Sequence, residues 1–474
     1  MNPFKYTKIV ATLGPASESP DQIRRLIAAG TDCFRLNFSH GTQESHAATL
    51  QLVRQISHEL GRYVAVLADV QGPKLRIGKL PEAGVCLEDG QSFVLTQRAI
   101  DGSASAVHSP YEYLTQDLQK GARVLLADGS IELLVERIAD QDVHCKVLHG
   151  GQLFSKKGMN LPGTTVSVET LTAKDRQDLE FIARNEFDLV AVSFVRRAAD
   201  IKQAREILGA RPIPVLAKLE RPEAIDNLNA ILEVADGVMV ARGDLGVEMD
   251  FARVPGIQKQ ILQRATVRGK WAIVATEMLR SMVSQSRPTR AEVTDVANAV
   301  IDGADAVMLS EETAVGQHPA LVVTAMERIT GEVDRLDQSG KLHFEADIIS
   351  FAAGAAGAAV SAAERLEARA IVALAGSNVT ALLLSKWRPR IPILALSSGQ
   401  ATLRRLNVLR GVFPVHIREN SNMEEQIRLA DDVLLEQSWG RAGDTVVVVG
   451  AIPLGQGKET NSIRFHRIRP RENW

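Results

Sequence analysis

Short β-branched runs alternate with amphipathic stretches over the first two-thirds of the chain. The runs stand at Lys8–Thr12, Cys33–Phe38, Val64–Val70, Leu189–Phe194, Val215–Glu220, Gly237–Arg242, Ala272–Thr276 and Ala306–Ser310. Continuous apolar runs of this kind predict buried parallel strands in βα units. Most starts lie roughly 20–35 residues apart, the length of a strand, a helix and two loops. The third and fourth are the exception, because more than a hundred residues separate Val70 from Leu189. A (β/α)8 TIM barrel over 1–70 and 168–345, interrupted after its third strand, accounts for both facts. The insertion, 71–167, alternates in period two at Ser92–Thr96, Arg123–Leu126, Ile131–Val135 and Asp142–Leu148. With DG, HGG and LPG turns between them, these pieces predict a small antiparallel β domain. Two adjacent chain crossings attach it, so it is placed to swing over the barrel mouth as a lid. From about Ala346 the rhythm changes. An Ala-rich helix leads into ARAIVALA, IPILALS and DTVVVVG, an open α/β domain over 346–474. The Ala/Gly run reads as close helix packing.

Composition narrows the class without naming a chemistry. The 474 residues divide into two to four domains, with ordinary apolar (45%) and charged (24%) fractions. A formal charge of −2 argues against a nucleic-acid partner, which usually meets a strongly basic domain. Cys33, Cys86 and Cys145 are widely spaced, excluding a disulfide framework and a thiolate zinc site. No stretch reaches the ~20 apolar residues of a membrane span. The N-terminus lacks the layout of a signal peptide, so a cytoplasmic enzyme is expected.

Active sites of (β/α)8 barrels lie at the C-terminal ends of the strands. Here the second strand ends in Arg35-Leu36-Asn37-Phe38-Ser39-His40-Gly41 and the third in Asp69. The fifth ends in Lys218-Leu219-Glu220, the sixth in Arg242-Gly243-Asp244, the seventh in Thr276-Glu277 and the eighth in Ser310-Glu311. Charges inside apolar strands are costly unless paired or metal-bound, yet they recur at one end of strand after strand. Lys218 and Glu220 share a strand face. Glu220 and Asp244, on adjacent strand ends, form a hard-oxygen pair suited to Mg²⁺ or Mn²⁺. The competing reading is an ion-pair network of Lys218 with Glu220 or Asp244 and no metal. Arg35 suits a bidentate phosphate or carboxylate anchor, against a plain salt bridge to Asp69. The junctions Gly243–Gly246 and Ser310–Gly316 offer backbone N–H groups to an anion.

The blocks KIVATLGPAS, FRLNFSHG, ADVQGPKLRIG, KKGMNLPG, AKLERPEAIDNL, DGVMVARGDLGVEM, ATEMLRSM, PTRAEVTDVANAVIDGADAVMLSEETAVGQHP and GAIPLGQGKETNSIRFHRI closely resemble the pyruvate kinase family. They run in order from Lys8 to Ile468. The resemblance implies the barrel, an inserted small β-barrel lid and a C-terminal regulatory domain. It implies phosphoryl transfer from phosphoenolpyruvate to ADP, giving pyruvate and ATP, by a homotetramer. By similarity Arg35 grips the substrate phosphate, Glu220 and Asp244 hold the divalent ion, and Lys218 stabilises the transferring phosphoryl group and the enolate. Thr276 is similar to the residue that positions or relays the proton. Gly243 and Asp244 would receive the pyruvate carboxylate. Arg76, His40 and Lys157 match positions near the nucleotide phosphates, and Asp128 matches a lid acid near the metal–nucleotide. Asn37, Ser39, Asp69 and Val70 match a monovalent-cation site.

Two departures from the family pattern carry expectations. K⁺-dependent members have Glu where this chain has Lys74, so a Lys ammonium is expected to substitute for K⁺; the alternative is a lid-hinge lysine with no electrostatic duty. In the C-terminal domain the turn that seats a sugar-phosphate effector in many relatives reads Ala375-Gly376-Ser377-Asn378-Val379-Thr380. Ser377, Asn378 and Thr380 are the candidate holders of a sugar-phosphate or nucleotide effector, and a helix N-cap explains Ser377 and Thr380 almost as well.

Overall fold

The computed structural model describes residues 5–336, 350–374, 378–419, 421–452, 459–470 and 472. Eight parallel strands close into a barrel: Lys8–Thr12, Cys33–Asn37, Ala65–Val70, Leu189–Val192, Val215–Leu219, Gly237–Ala241, Trp271–Ala275 and Ala306–Leu309. Each pairs with its sequence neighbours, and the ring closes where Lys8 lies opposite Ala306. Several strands end a residue or two before the predicted limit, leaving Glu220, Arg242, Thr276 and Ser310 just past the ladder. For the fourth and seventh strands the backbone shows why: Phe194 and Thr276 have positive φ, 54° and 71°, which an extended strand does not contain.

Side chains alternate along these strands. Ile9 and Ala11 face the surrounding helices, while Val10, Leu67, Ala191 and Met308 fill the barrel. That inner cluster continues into Ala353, Ile371 and Val447, joining the barrel core to the C-terminal domain.

The floor of the barrel repeats one device. Asp32, Asp188, Asp236 and Asp305 directly precede the second, fourth, sixth and eighth strands. Their carboxylates accept the N–H groups of Ile9, Val66, Val215 and Ala272 at 2.7–2.8 Å, each opening a neighbouring odd-numbered strand. Each also meets a cation: Lys5 on Asp32, Arg54 on Asp188 and Arg205 on Asp236, at 2.6 Å, and Lys386 on Asp305. Lys386 and Arg404, the latter 2.8 Å from Asp188, come from the C-terminal domain and dock it against the floor.

The inserted strands form an open six-stranded sheet and a two-stranded ribbon. The expected four strands are present, together with Val85–Leu87, Ala106–His108, Gly151–Leu153 and Met159–Asn160. Pairing is antiparallel except between Ser92–Thr96 and Ala106–His108. The two crossings to the barrel lie against each other: Met159 N–H donates to Leu75 O and Ile77 N–H to Lys157 O, both at 3.0 Å. Gly72 (φ 68°) opens the outgoing crossing, and a Cβ there would come within 2.8 Å of Phe194. The C-terminal sheet runs Val412–His416, Ile393–Ser397, Ile371–Ala373, Thr445–Gly450 and Ser462–Arg467, all parallel but the last. No helix among the described residues is long and apolar enough to cross a membrane.

Candidate active site

Adjacent strands bring their terminal side chains together at the barrel mouth. Asp69, buried at the end of the third strand, takes Arg35 Nε on Oδ2 at 2.6 Å and Lys218 Nζ on Oδ1 at 3.1 Å. Arg35 also donates to Thr12 Oγ1 at 3.2 Å. Lys218 reaches Glu220 Oε1 at 3.0 Å and Ser193 Oγ at 2.6 Å. The other Glu220 oxygen accepts Phe194 N–H at 2.7 Å, a contact that the positive φ of Phe194 accompanies. Both ion-pair alternatives raised by the sequence are therefore real contacts of Arg35 and Lys218.

The charges of this cluster are set by burial against attraction. Burial disfavours the Asp69 carboxylate, yet Lys218 and Arg35 outweigh it and hold the group below its ordinary value. Burial likewise opposes the Lys218 ammonium, but Asp69 and Glu220 hold it above its ordinary value. Glu220 goes the other way. Burial raises it, Lys218 opposes the rise, and Asp244 adds to it. A carboxyl so buried beside a second acid is one that a divalent cation would stabilise in its charged form. The donor set of Glu220 and Asp244 fits such an ion. Among the described residues no group of three or more His, Cys, Asp or Glu forms a closed site, so substrate and solvent oxygens would complete the coordination.

Past the seventh strand Thr276 is held in its strained backbone (φ 71°) by its surroundings. Its Oγ1 accepts Gly243 N–H at 2.8 Å and donates to Ala275 O at 2.6 Å. Arg242, paired with Asp295 at 2.6 Å, donates to Thr276 O at 2.8 Å. The Gly243 N–H expected to meet a carboxylate thus points to Thr276. At the eighth strand, Ser310 N–H goes to Glu312 Oε2 at 2.7 Å, so an internal carboxylate stands where an anion was expected. A cleft of about 1360 Å³ opens over these residues, lined by Lys74, Asp128, Asp244, Thr276 and Glu311 among others.

The lid supplies further charge. Lys74 Nζ lies 3.7 Å from Asp244 and 4.0 Å from Asp128, which sits in a lid turn with φ 54°. Arg76 and Lys157 stand on the paired crossings, and Arg76 donates to Lys156 O at 2.9 Å. His40 bonds through its backbone to Asn37 and His46, and among the described residues none of its hydrogen bonds reaches the lid. Asn37 Oδ1 accepts Ser39 N–H at 3.1 Å, Val70 O accepts Ser193 Oγ at 2.7 Å, and Asp69 is shared by two cations. In the C-terminal domain Thr380 is buried with its hydroxyl bonded to Thr460. Ser377 and the side chain of Asn378 lie outside the described residues.

Thr12 and Ser193 were not among the sequence candidates. The signal for Ser193 was a lone polar residue closing the apolar run Leu189–Val192. Arg221 and Glu248, a buried pair at 3.2 Å, were missed as well, although each stands beside a named site residue or a turn away from one.

The arrangement has known counterparts. Residues 4–323 match the family profile described as "Pyruvate kinase, barrel domain", and residues 354–466 match "Pyruvate kinase, alpha/beta domain". Pyruvate kinase 2 of Synechocystis sp. is 42% identical over 471 residues, covering 98% of this chain and 80% of that protein. The pyruvate kinase of Mycobacterium tuberculosis is 42% identical over 468 residues, covering 97% and 98% respectively. The crystal structure of a pyruvate kinase from Cryptosporidium parvum superposes with a TM-score of 0.91 at 33% identity, covering 98% of this chain and 96% of that one.

Proposed function

The chain belongs to the pyruvate kinase family and is a phosphotransferase, and we propose the following division of labour for transfer from phosphoenolpyruvate to ADP. The observation that carries it is Asp69 holding Arg35 and Lys218 side by side at the barrel mouth, next to Glu220. Arg35 binds the phosphate and Lys218 neutralises charge on the phosphoryl group and the departing enolate. The P–O bond to the enol breaks as the terminal ADP oxygen bonds to phosphorus, and the enolate then takes a proton at its methylene carbon. Thr276, buttressed by Gly243 and Arg242, orients the delivery of that proton. A divalent cation held by Glu220 and Asp244 would neutralise the phosphoryl oxygens when bound. Arg76, Lys157 and Asp128 approach the nucleotide from the lid, His40 from the loop after the second strand, and closure excludes water.

A coupled assay of pyruvate formation from phosphoenolpyruvate and ADP with Mg²⁺ tests this reading; no pyruvate under any condition overturns it. Activity without K⁺ is part of the proposal, because Lys74 brings a fixed positive charge to within 3.7 Å of Asp244. Turnover in Na⁺-free buffer is expected to be equal with K⁺ or a bulky organic cation, and strict K⁺ dependence removes that role from Lys74. An anionic effector in the C-terminal domain would draw on Ser377, Asn378 and Thr380, whose hydroxyl also bonds Thr460, together with backbone N–H groups at the start of helix Asn378–Lys386.

A further inference from the structure

Where the lid meets the barrel, a small polar cluster lies outside the reacting centre but touches both elements that carry the metal-binding acids. Arg221 directly follows Glu220, and Glu248 lies on the helix Arg242–Glu248 one turn after Asp244. Their side chains are buried, and Arg221 NH1 donates to Glu248 Oε1 at 3.2 Å. From the lid, Asn160 Nδ2 donates to the same oxygen at 2.8 Å. The lid's returning crossing adds Thr164 O, which accepts from Arg221 NH2 at 3.1 Å. Asn160 is also part of the lid sheet, opposite Leu125. A cavity of about 20 Å³ lies against Asn160, Arg221 and Glu248, with Pro73 and Lys74 of the outgoing crossing on its wall.

The way the bonds are shared decides what this cluster can do. Asn160 and Arg221 use one carboxylate oxygen, while Glu248 Oε2 and Arg221 Nε have no hydrogen-bond partner among the described residues. Both members of the Arg221–Glu248 pair belong to the barrel, so the pair does not depend on a lid residue. Lid movement would break two side-chain bonds of this cluster, Arg221 to Thr164 O and Asn160 to Glu248, and the latter runs from a neutral amide to a carboxylate. Such a bond is weak enough to be remade in each catalytic cycle, yet strong enough to bias the lid.

We infer that Asn160, acting on the Arg221–Glu248 pair, is the latch that holds the lid over the barrel mouth and registers it with Glu220 and Asp244. All three are positioning residues, because none is placed against substrate. The inference rests on the functional reading above. It predicts that the nucleotide, which needs the lid, is affected before phosphoenolpyruvate, whose anchor Arg35 belongs to the barrel.

The test is Asn160→Ala in the full chain, with steady-state kinetics for each substrate and hydrogen exchange at the lid crossings. Loss of one net hydrogen bond is expected to raise KM for ADP about fivefold. KM for phosphoenolpyruvate should stay within about twofold, on the same energy scale, and the amides of Ile77 and Met159 should exchange faster. Asn160→Gln, which keeps the amide, should recover part of the difference. An active wild type with an Asn160→Ala variant unchanged in both KM for ADP and exchange overturns the latch alone. Equal losses for both substrates, accompanied by a lower Tm, also overturn it, by assigning Asn160 a purely structural role. A wild type that forms no pyruvate fails the functional reading instead.

Discussion

The two ends of the barrel partner the same residue types in different ways. At the floor, Asp32, Asp188, Asp236 and Asp305 each accept a backbone N–H and meet a cation of the chain itself. Their partners are internal, so the ends of the strands are stapled in register and the C-terminal domain is held against them. At the mouth, Asp69 is stretched between two cations, Glu220 is raised by burial and by Asp244, and Asp244 meets Lys74 only at 3.7 Å. The lesson is that an acid at a strand end is structural when the chain supplies its partner. By that measure Asp69 is compensated from within, and Glu220, raised by burial and by Asp244 in spite of Lys218, is the acid of the mouth that the chain's own cation leaves short.

That contrast can be broken at three points, in decreasing order of expected effect. Lys386→Met removes a cation from the floor and leaves Asp305 buried with, among the described residues, a backbone donor alone. The loss should be about 3–5 kcal/mol in denaturant unfolding, with kcat of the folded protein unchanged. If activity falls instead while stability holds, the floor is not merely structural. Lys218→Met makes the mirror-image change at the mouth. Its kcat should drop about 10²–10³-fold, with the fold retained by circular dichroism. A mild kinetic effect would move Lys218 to the structural side.

The smallest effect sharpens the comparison through pH. Burial lowers Lys8, only partly offset by Asp32, to about 8 from 10.5, and its ammonium donates to Val412 O at 2.9 Å across the domain junction. A lysine whose folded value is depressed sheds its proton on folding once pH exceeds that value. Wild type should therefore gain stability relative to Lys8→Met as pH rises from about 8 toward 10.5, and show no differential gain below 8. The slope should be about 1 kcal/mol per pH unit within that window, measured by urea unfolding of both proteins. An equal response of the two proteins would show that Lys8 keeps its ordinary value in the folded protein, its burial fully compensated.

Much of this was legible in the residues. The eight apolar runs were found as strands because parallel barrel strands are buried on both faces, a pattern that the strands Ile371–Ala373, Ile393–Ser397 and Thr445–Gly450 of the C-terminal sheet share. Short edge pieces such as Val85–Leu87 and Met159–Asn160 escaped, being too brief to show a period of two. Ser193 escaped because a single serine at a strand end carries no charge to draw notice. The floor aspartates had a visible signal, an Asp directly before every second strand, but its meaning depends on which neighbouring strand receives the carboxylate.

What the sequence determined by itself is therefore what is local or periodic: the barrel, its interruption after the third strand, and the polar residues crowded at one end. Only the tertiary structure decided how those polar residues are shared. It committed the Gly243 N–H to Thr276, filled the Ser310 N–H with Glu312, and put Asn160 of the lid on Glu248 of the barrel. The physical reason is one of range. Burial and periodicity are set within a strand or a helix, whereas a hydrogen bond forms only between atoms about 3 Å apart, and that proximity exists only after distant segments have closed on one another.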